Sequence, residues 1–237
     1  TWTAGVVIQP RFVPGLTLRA DWYDIQLTGA INTVTANQLA QLCVDQPTLD
    51  NQFCAAITRT NTASNTADPG NIVSFTVAPQ NVSRFSTSGL DLNVNYALDA
   101  GSIGRFNFRV IGNYLNKLEF IGSPGADVTD SRGEQRAPKY TLNADVTWSI
   151  ERFTINYGLS WFDRTSRYSN LTTSSNPDVV ADEYKYLKEL WQHDLYASFD
   201  VDDSFQFYGG VNNVFGQRPD VGTSIYPVSS VGRYMFA

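Results

Sequence analysis

Apolar and polar residues alternate one by one through stretch after stretch of this chain. That period of two admits only β-strands with one greasy and one wet face. Over 140–148 one parity reads Tyr140, Leu142, Ala144, Val146 and Trp148, and the other Thr141, Asn143, Asp145 and Thr147. Phe153, Ile155, Tyr157, Leu159 and Trp161 oppose Thr154, Asn156, Gly158 and Ser160 in the next segment. Leu90, Leu92, Val94, Tyr96 and Leu98 oppose Asp91, Asn93 and Asn95, and Phe106, Phe108, Val110 and Tyr114 oppose Asn107, Arg109 and Asn113. The pattern predicts about nine strands, over 3–9, 15–28, 84–99, 103–121, 138–150, 152–168, 188–201, 204–216 and 228–237. Several exceed the length usual in soluble sheets, and about ten tilted residues cross a bilayer. One strand breaks the rule: the parity of Leu16, Leu18, Ala20 and Trp22 flips at Asp24-Ile25. A bulge, or the strand's exit from the membrane, would account for the flip.

The connections sort by length. Those at 10–15, 99–104, 151–152 and 202–203 are short, those at 29–83, 123–137 and 169–187 are long, and 216–227 is intermediate. Short and long alternate across every join. Transmembrane barrels keep short turns in the periplasm and long loops outside, whereas a soluble sandwich has no reason to sort its loops. The expected fold is therefore all-β, an antiparallel transmembrane β-barrel segment with long extracellular loops, one containing short helices. The 10–15 turn is then periplasmic, the 29–83 loop extracellular, and the last strand runs back toward the periplasm. Trp22, Tyr96, Phe106, Tyr140, Trp148, Phe153, Trp161, Trp191 and Phe205 fall near strand ends, as an interfacial belt requires.

Composition agrees. Charged residues are 17%, below the roughly 25% of a soluble domain, and mean hydropathy is −0.23. No apolar run approaches the 18 or so residues of a membrane helix. A net charge of −6 and a pI near 4.7 argue against nucleic acid as a partner. Thr1-Trp2-Thr3 reads as the interior of something longer.

Within 29–83, Thr35-Ala36-Asn37-Gln38 is a capping-box pattern followed by Leu39, Leu42 and Cys43 at helical spacing. It predicts a helix over about 36–45. Thr48 would cap a second helix carrying Phe53, Cys54 and Ile57. Cys43 and Cys54 are the only cysteines. In an oxidising compartment they would bridge, stabilising the loop by about 3 kcal/mol. Two thiols without a nearby His offer too few ligands for a metal. Residues 58–70 read as a polar tip, and 72–78 as a strand beyond the membrane.

No residues assemble into an enzymatic site. The single His, His193, shares its face with Trp191, Leu195, Ala197 and Phe199, while Asp194 points the other way, so the two form no dyad. Asp200-Val201-Asp202-Asp203 lacks the Gly and terminal Glu of a calcium loop and reads as a solvated turn. Asp182-Glu183, near Tyr184 and Tyr186, reads as solvated loop charge ahead of ligand contact. Gly209-Gly210 lies inside a strand, where glycine marks close approach or a kink. No cofactor or metal is expected.

Three stretches resemble the carboxy-terminal part of the barrel of TonB-dependent outer-membrane receptors. Val211-Asn212-Asn213-Val214-Phe215-Gly216-Gln217-Arg218-Pro219 is similar to the family's penultimate-strand signature, of the type Asn-Leu-Phe-Asp-basic-basic-Pro, with Val214 for Leu and Gly216 for Asp. Val231-Gly232-Arg233-Tyr234-Met235-Phe236 resembles the start of the last strand, which in the family follows a Pro-bearing loop as Pro227 does here. Pro14-Gly15-Leu16 through Trp22-Tyr23-Asp24-Ile25, the two-cysteine loop, and Ser88-Gly89-Leu90-Asp91 are similar to an upstream barrel segment. The resemblance covers essentially the whole chain, with Asn212, Asn213, Phe215, Pro219, Gly232, Arg233 and Tyr234 as its signature.

That resemblance implies a barrel of about 22 strands with an amino-terminal plug and TonB-box segment. It also implies energy-coupled import of a scarce, bulky nutrient across the outer membrane of a Gram-negative bacterium. Ferric siderophores are the first expectation, with haem, cobalamin or glycans as alternatives. Residues 1–237 are expected to be the C-terminal portion of such a barrel. The plug and N-terminal strands would lie elsewhere, with the TonB complex engaged there, and lipid and lipopolysaccharide outside. About nine strands is odd, and bacterial single-chain barrels are even. The wet parity (Arg19, Asp21, Asp91, Asn93, Asn95, Asn107, Arg109, Asn113, Asn143, Asp145, Asn156) is rich in amides and suits a water-filled passage. Arg19, Asp91, Asn93, Arg109, Asn113 and Asp145 are the candidates to face substrate. A small passive or structural barrel and a secreted lectin-like sandwich are the competing readings.

Overall fold

The structure is a computed structural model, and residues 1–60, 70–178, 180–220 and 231–237 are described. Nine strands form its main sheet: β1 (Trp2–Ile8), β2 (Leu16–Thr33), β3 (Pro79–Asp99), β4 (Arg105–Ile121), β5 (Tyr140–Ile150), β6 (Phe153–Phe162), β7 (Leu190–Asp200), β8 (Gln206–Asn212) and β9 (Tyr234–Phe236). They pair in chain order, and the short strand Thr129–Asp130 adds to β4. The β1–β2 pair and each neighbouring pair from β4 to β9 are antiparallel with unbroken register. Each of the nine expected strands is present. Their limits differ: β2 and β3 run five residues further than the alternation indicates, and β8 stops at Asn212. The expected polar tip over 61–69, the Pro227 loop and residues 228–230 of the last strand lie outside the described residues.

Chain contacts divide the molecule into two compact units, residues 1–25, 87–118 and 130–237, and residues 26–86 and 119–129. β2 stays continuous to Thr33, and the unit boundary follows Ile25, next to the parity flip at Asp24-Ile25.

The first unit is a single layer of sheet with side chains exposed on both faces. Leu92, Tyr157, Trp191, Leu195, Phe199 and Phe207 are all exposed. Stacked rings run across this apolar face: Tyr96 on Phe108, Phe108 on Phe106, and Phe106 on Trp148, with Phe153 edge-on to Trp148. In water such a surface would drive association. In lipid it is the solvated face, and the ladders between neighbouring strands satisfy the backbone of the inner strands.

The second unit carries a core of its own. Val34, Leu39, Leu42, Cys43, Phe53 and Ile57 are buried together. Helix α1 (Ala36–Asp45) starts on the expected capping box, with both Thr35 and Gln38 bonds made. It stops at Gln46, whose extended backbone is what the following Pro47 demands. Helix α2 (Gln52–Ala55) is capped by Asn51, which accepts from Phe53 N and Cys54 N. Thr48 is not its cap. Instead the Thr48 carbonyl accepts from Asn51 Nδ2 at 2.7 Å. A disulfide joins Cys43 to Cys54. Ile72–Phe75 pairs with Ile57–Arg59, so the expected strand over 72–78 exists in shortened form. Burying Leu39 or Phe53 contributes about 1.5–3 kcal/mol each.

Candidate functional site

The wet face of the sheet is a continuous polar wall. Register places Arg109, Asp145, Gly158 and Asp194 in one row across four strands. Asn107, Thr147 and Asn156 form the row beside it, where Asn156 Nδ2 donates to Thr147 Oγ1 at 2.8 Å. Asn143 and Ser160 pair in the next, Ser160 Oγ donating to Asn143 Oδ1 at 2.9 Å. The Asn156–Thr147 and Ser160–Asn143 bonds hold those side chains and leave their other lone pairs and N–H groups facing water.

The six candidate substrate-facing residues do not converge on one point. Arg19, Asp91 and Asn93 line one hollow of about 500 Å³ with Thr3 and Asp21. Within it Arg19 Nε donates to Asp21 at 2.5 Å, and from outside it Asn95 Nδ2 donates to Asn93 at 2.5 Å and Asn113 Nδ2 to Asp91 Oδ1 at 2.6 Å. Arg109 and Asp145 line a second hollow of about 430 Å³ with Asn95, Asn107, Thr147 and Asn156. The wall is thus two shallow amide-rich hollows side by side.

A deeper feature lies in the connections. Ser131 N donates to Leu118 O, Gly133 N to Ala137 O, and Ser166 N to Gly133 O. Thr165–Ser166 pairs with Tyr186–Leu187 over the buried Leu187 and Leu190. Asn170 ties the two segments together, with its N–H on Glu134 at 2.7 Å and its amide on the Asp130 and Arg132 carbonyls at 2.7 and 3.0 Å. Between them opens a cleft of about 580 Å³ with Arg132, Lys139, Tyr140, Asp163, Arg164, Lys185 and Tyr186 among its walls. Four cations face one carboxylate. Arg164 sits over the Tyr186 ring at 4.8 Å, and Tyr140 stacks on Tyr114 at 5.1 Å. Arg132 donates from one terminal nitrogen to Asn116 O at 2.8 Å, while its Nε is buried without a partner.

At the cleft's edge Lys185 Nζ meets Asp182 Oδ1 at 2.6 Å. The hydrogen bond from Lys185 holds the Asp182 carboxyl below its usual range, and the same bond raises the ammonium. The sequence reading noticed Asp182 and missed the cleft. The signal was there: seven of the 17 basic residues fall within 132–139 and 164–188, but interspersed acids hide them in any running charge sum.

The signature residues have a mechanical role. Asn213 takes a left-handed φ of 54°. Its side chain closes the following turn from both ends, Nδ2 donating to Gln217 O and Oδ1 accepting from Gln217 N, each at 2.7 Å. Its own N–H donates to Asp194 Oδ1 at 2.6 Å, and Val214 N to His193 O at 2.7 Å. Phe215 then stands edge-on to His193 at 4.8 Å. His193 Nδ1 lies 2.6 Å from Tyr157 Oη on the apolar face, apart from Asp194, as parity requires. Gly232 has φ 75°, and Tyr234 pairs with Asn212. Asp202 accepts from Ser204 N and Phe205 N, making its loop a turn.

A family model described as TonB dependent receptor-like, beta-barrel matches residues 1–214. A search of the curated proteins finds no match. Among solved structures the chain is similar to a ferric enterobactin receptor, PfeA, of Pseudomonas aeruginosa, at 12% identity and a TM-score of 0.51, over 91% of this chain and 25% of that one. It is similar as well to the siderophore receptor PirA of Acinetobacter baumannii, at 13% identity and a TM-score of 0.53, over 99% of this chain and 31% of that one. The chain therefore spans between a quarter and a third of these proteins, and the likeness is one of fold.

Proposed function

Because the chain belongs to the TonB-dependent receptor β-barrel family, we propose that it forms part of the barrel of an outer-membrane receptor that imports a ferric siderophore with energy relayed by TonB. In this reading residues 1–237 are the C-terminal portion of the barrel, and plug, TonB box and further strands belong to the rest of the protein. The loops bearing the cleft face outward and the tight turns face the periplasm. The protein binds and passes its ligand without chemical change.

The observation that carries the reading is the wall built on Asp91, Asn113, Asn143, Asp145 and Asn156. Asn113 bonds Asp91, Ser160 bonds Asn143 and Asn156 bonds Thr147 across neighbouring strands, yet each amide keeps hydrogen-bonding capacity toward the water side. A bulky hydrophilic ligand can move along such a surface by exchanging weak bonds, none strong enough to trap it. A glycan is the second reading, favoured by the preponderance of neutral amides over charges on that wall.

Radiolabelled iron uptake by iron-starved cells that carry the whole receptor tests the proposal. Uptake that disappears on deletion of either the receptor or TonB supports it. Unchanged iron uptake together with receptor-dependent entry of a labelled oligosaccharide would replace it with the glycan reading.

A further inference from the structure

We propose that the cleft between residues 131–140 and 163–186 is an anion-capture site, selecting oxygen-rich negatively charged ligands over neutral ones of the same size. Its biological use rests on the uptake reading; its chemistry does not.

The donor set is one-sided. Arg132, Lys139, Arg164 and Lys185 carry only donors, so a ligand touching them must present acceptors. Among the described residues only Lys185 of these four has a carboxylate within ion-pair distance. Asp163 lines the cleft, and one of its oxygens accepts from Arg164 N at 2.8 Å. Three cations in one hollow repel each other, and an arriving anion relieves that repulsion. The Arg132 Nε is a buried charged donor with nothing to bond, a costly state in a folded protein.

Preorganisation points the same way. Tyr186 holds the Arg164 guanidinium over its ring, Asn116 anchors Arg132, and Asn170 fixes the floor. A site with this rigidity loses little freedom on binding. Its volume of about 580 Å³ falls within the range of small-molecule sites, about 300–1,000 Å³. A neutral polyol would leave the cations without counter-charge, whereas carboxylate, phosphoryl or catecholate oxygens would supply it.

The test is binding to the purified whole receptor of two iron(III) complexes of similar size, the triply negative tris(catecholate) and the neutral tris(acetohydroxamate), with tripolyphosphate as a third probe. The anionic complex is expected to bind at least about tenfold tighter than the neutral one, with affinity falling as salt rises. Lys139→Gln with Arg164→Gln is expected to lower the affinity for the anion by about tenfold or more and leave the neutral complex unchanged. Should that variant not assemble, the salt dependence in the unaltered receptor decides. Binding of tripolyphosphate but not the iron complex supports the anion site and identifies phosphoryl groups, such as those of surface polysaccharide, as its ligand. Equal affinity for charged and neutral complexes, or an undiminished affinity in the folded double variant, overturns the proposal. The two readings fail separately: anion affinity undiminished in the folded double variant sinks the cleft alone, and anion binding by a receptor that imports no iron sinks the uptake reading alone.

Discussion

The rings of Tyr196 and Phe236 stack 6.3 Å apart across Gly210. The three residues occupy one row over β7, β8 and β9. Glycine weakens a strand by offering no side chain, and here the flanking rings close over the bare backbone, a known remedy for sheet glycines. A Cβ at Gly210 would lie 2.6 Å from the Phe236 ring and 2.9 Å from Leu195 O. Gly210→Ala is therefore expected to destabilise the assembled barrel by about 1–3 kcal/mol, read as a lowered urea midpoint after refolding into lipid vesicles. A midpoint equal to that of the unaltered protein would remove the close-approach explanation of this glycine.

Asn213 combines a strained backbone with a doubly bonded side chain, and three substitutions separate the contributions. Asn213→Gly keeps the φ and loses two bonds, at about 1–2 kcal/mol. Asn213→Ala adds the left-handed penalty and is expected to cost about 1–2 kcal/mol more. Asn213→Asp keeps the acceptor for Gln217 N and falls nearest the unaltered protein. A ranking with Ala above Gly would contradict this account.

Loss of the Cys43–Cys54 bridge acts on the 26–86 segment. Cys43→Ser with Cys54→Ser is expected to lower the stability of that unit by about 3 kcal/mol and to expose it to protease at Val34, Leu39 and Leu42. The heat-dependent gel mobility of the barrel should stay as it was. Alkylation of the denatured, unreduced protein should add no mass to either cysteine.

The Asp182–Lys185 pair gives the cleft edge a defined pH window. The carboxylate is favoured by folding, so its contribution is present above the unfolded value of about 3.9 and is lost as pH falls through its lower folded value. The ammonium contribution is present below about 10.4 and is lost as pH rises through its higher folded value. A carbon-13 titration of the Asp182 carboxyl should show a midpoint below that of Asp in an unfolded peptide. Asp182→Asn removes the counter-charge from Lys185 and is expected to strengthen anion binding in the cleft. Weaker binding in that variant would mean Lys185 does not face the ligand.

Strands were legible because lipid and water impose opposite demands on neighbouring residues, and a period of two records both. Tyr140 to Trp148 could be assigned to faces from sequence alone, and the register bears this out. The first helix was legible because Thr35 and Gln38 satisfy each other locally. The second cap was misassigned because Thr48 and Asn51 are both good caps, and only tertiary contact with the Cys43 carbonyl, which accepts from Asn51 Nδ2 at 3.1 Å, favours the latter. The wall was legible as composition but not as two hollows, since strand stagger has no trace in the alternation. The local excess of basic residues was there to be read, but its convergence into one cleft was not. Arg132 and Arg164 are 32 positions apart in the sequence and meet through backbone bonds such as Ser166 N to Gly133 O, for which no residue pattern exists.

The separate core of Val34, Leu39, Leu42, Cys43, Phe53 and Ile57 has an evolutionary consequence. A segment that orders itself can drift without loosening the membrane sheet, because its buried contacts and cross-link are internal to it. Val44, Leu49 and Val73 stand exposed on its surface. Changes at such positions leave the buried contacts and the cross-link of the segment untouched.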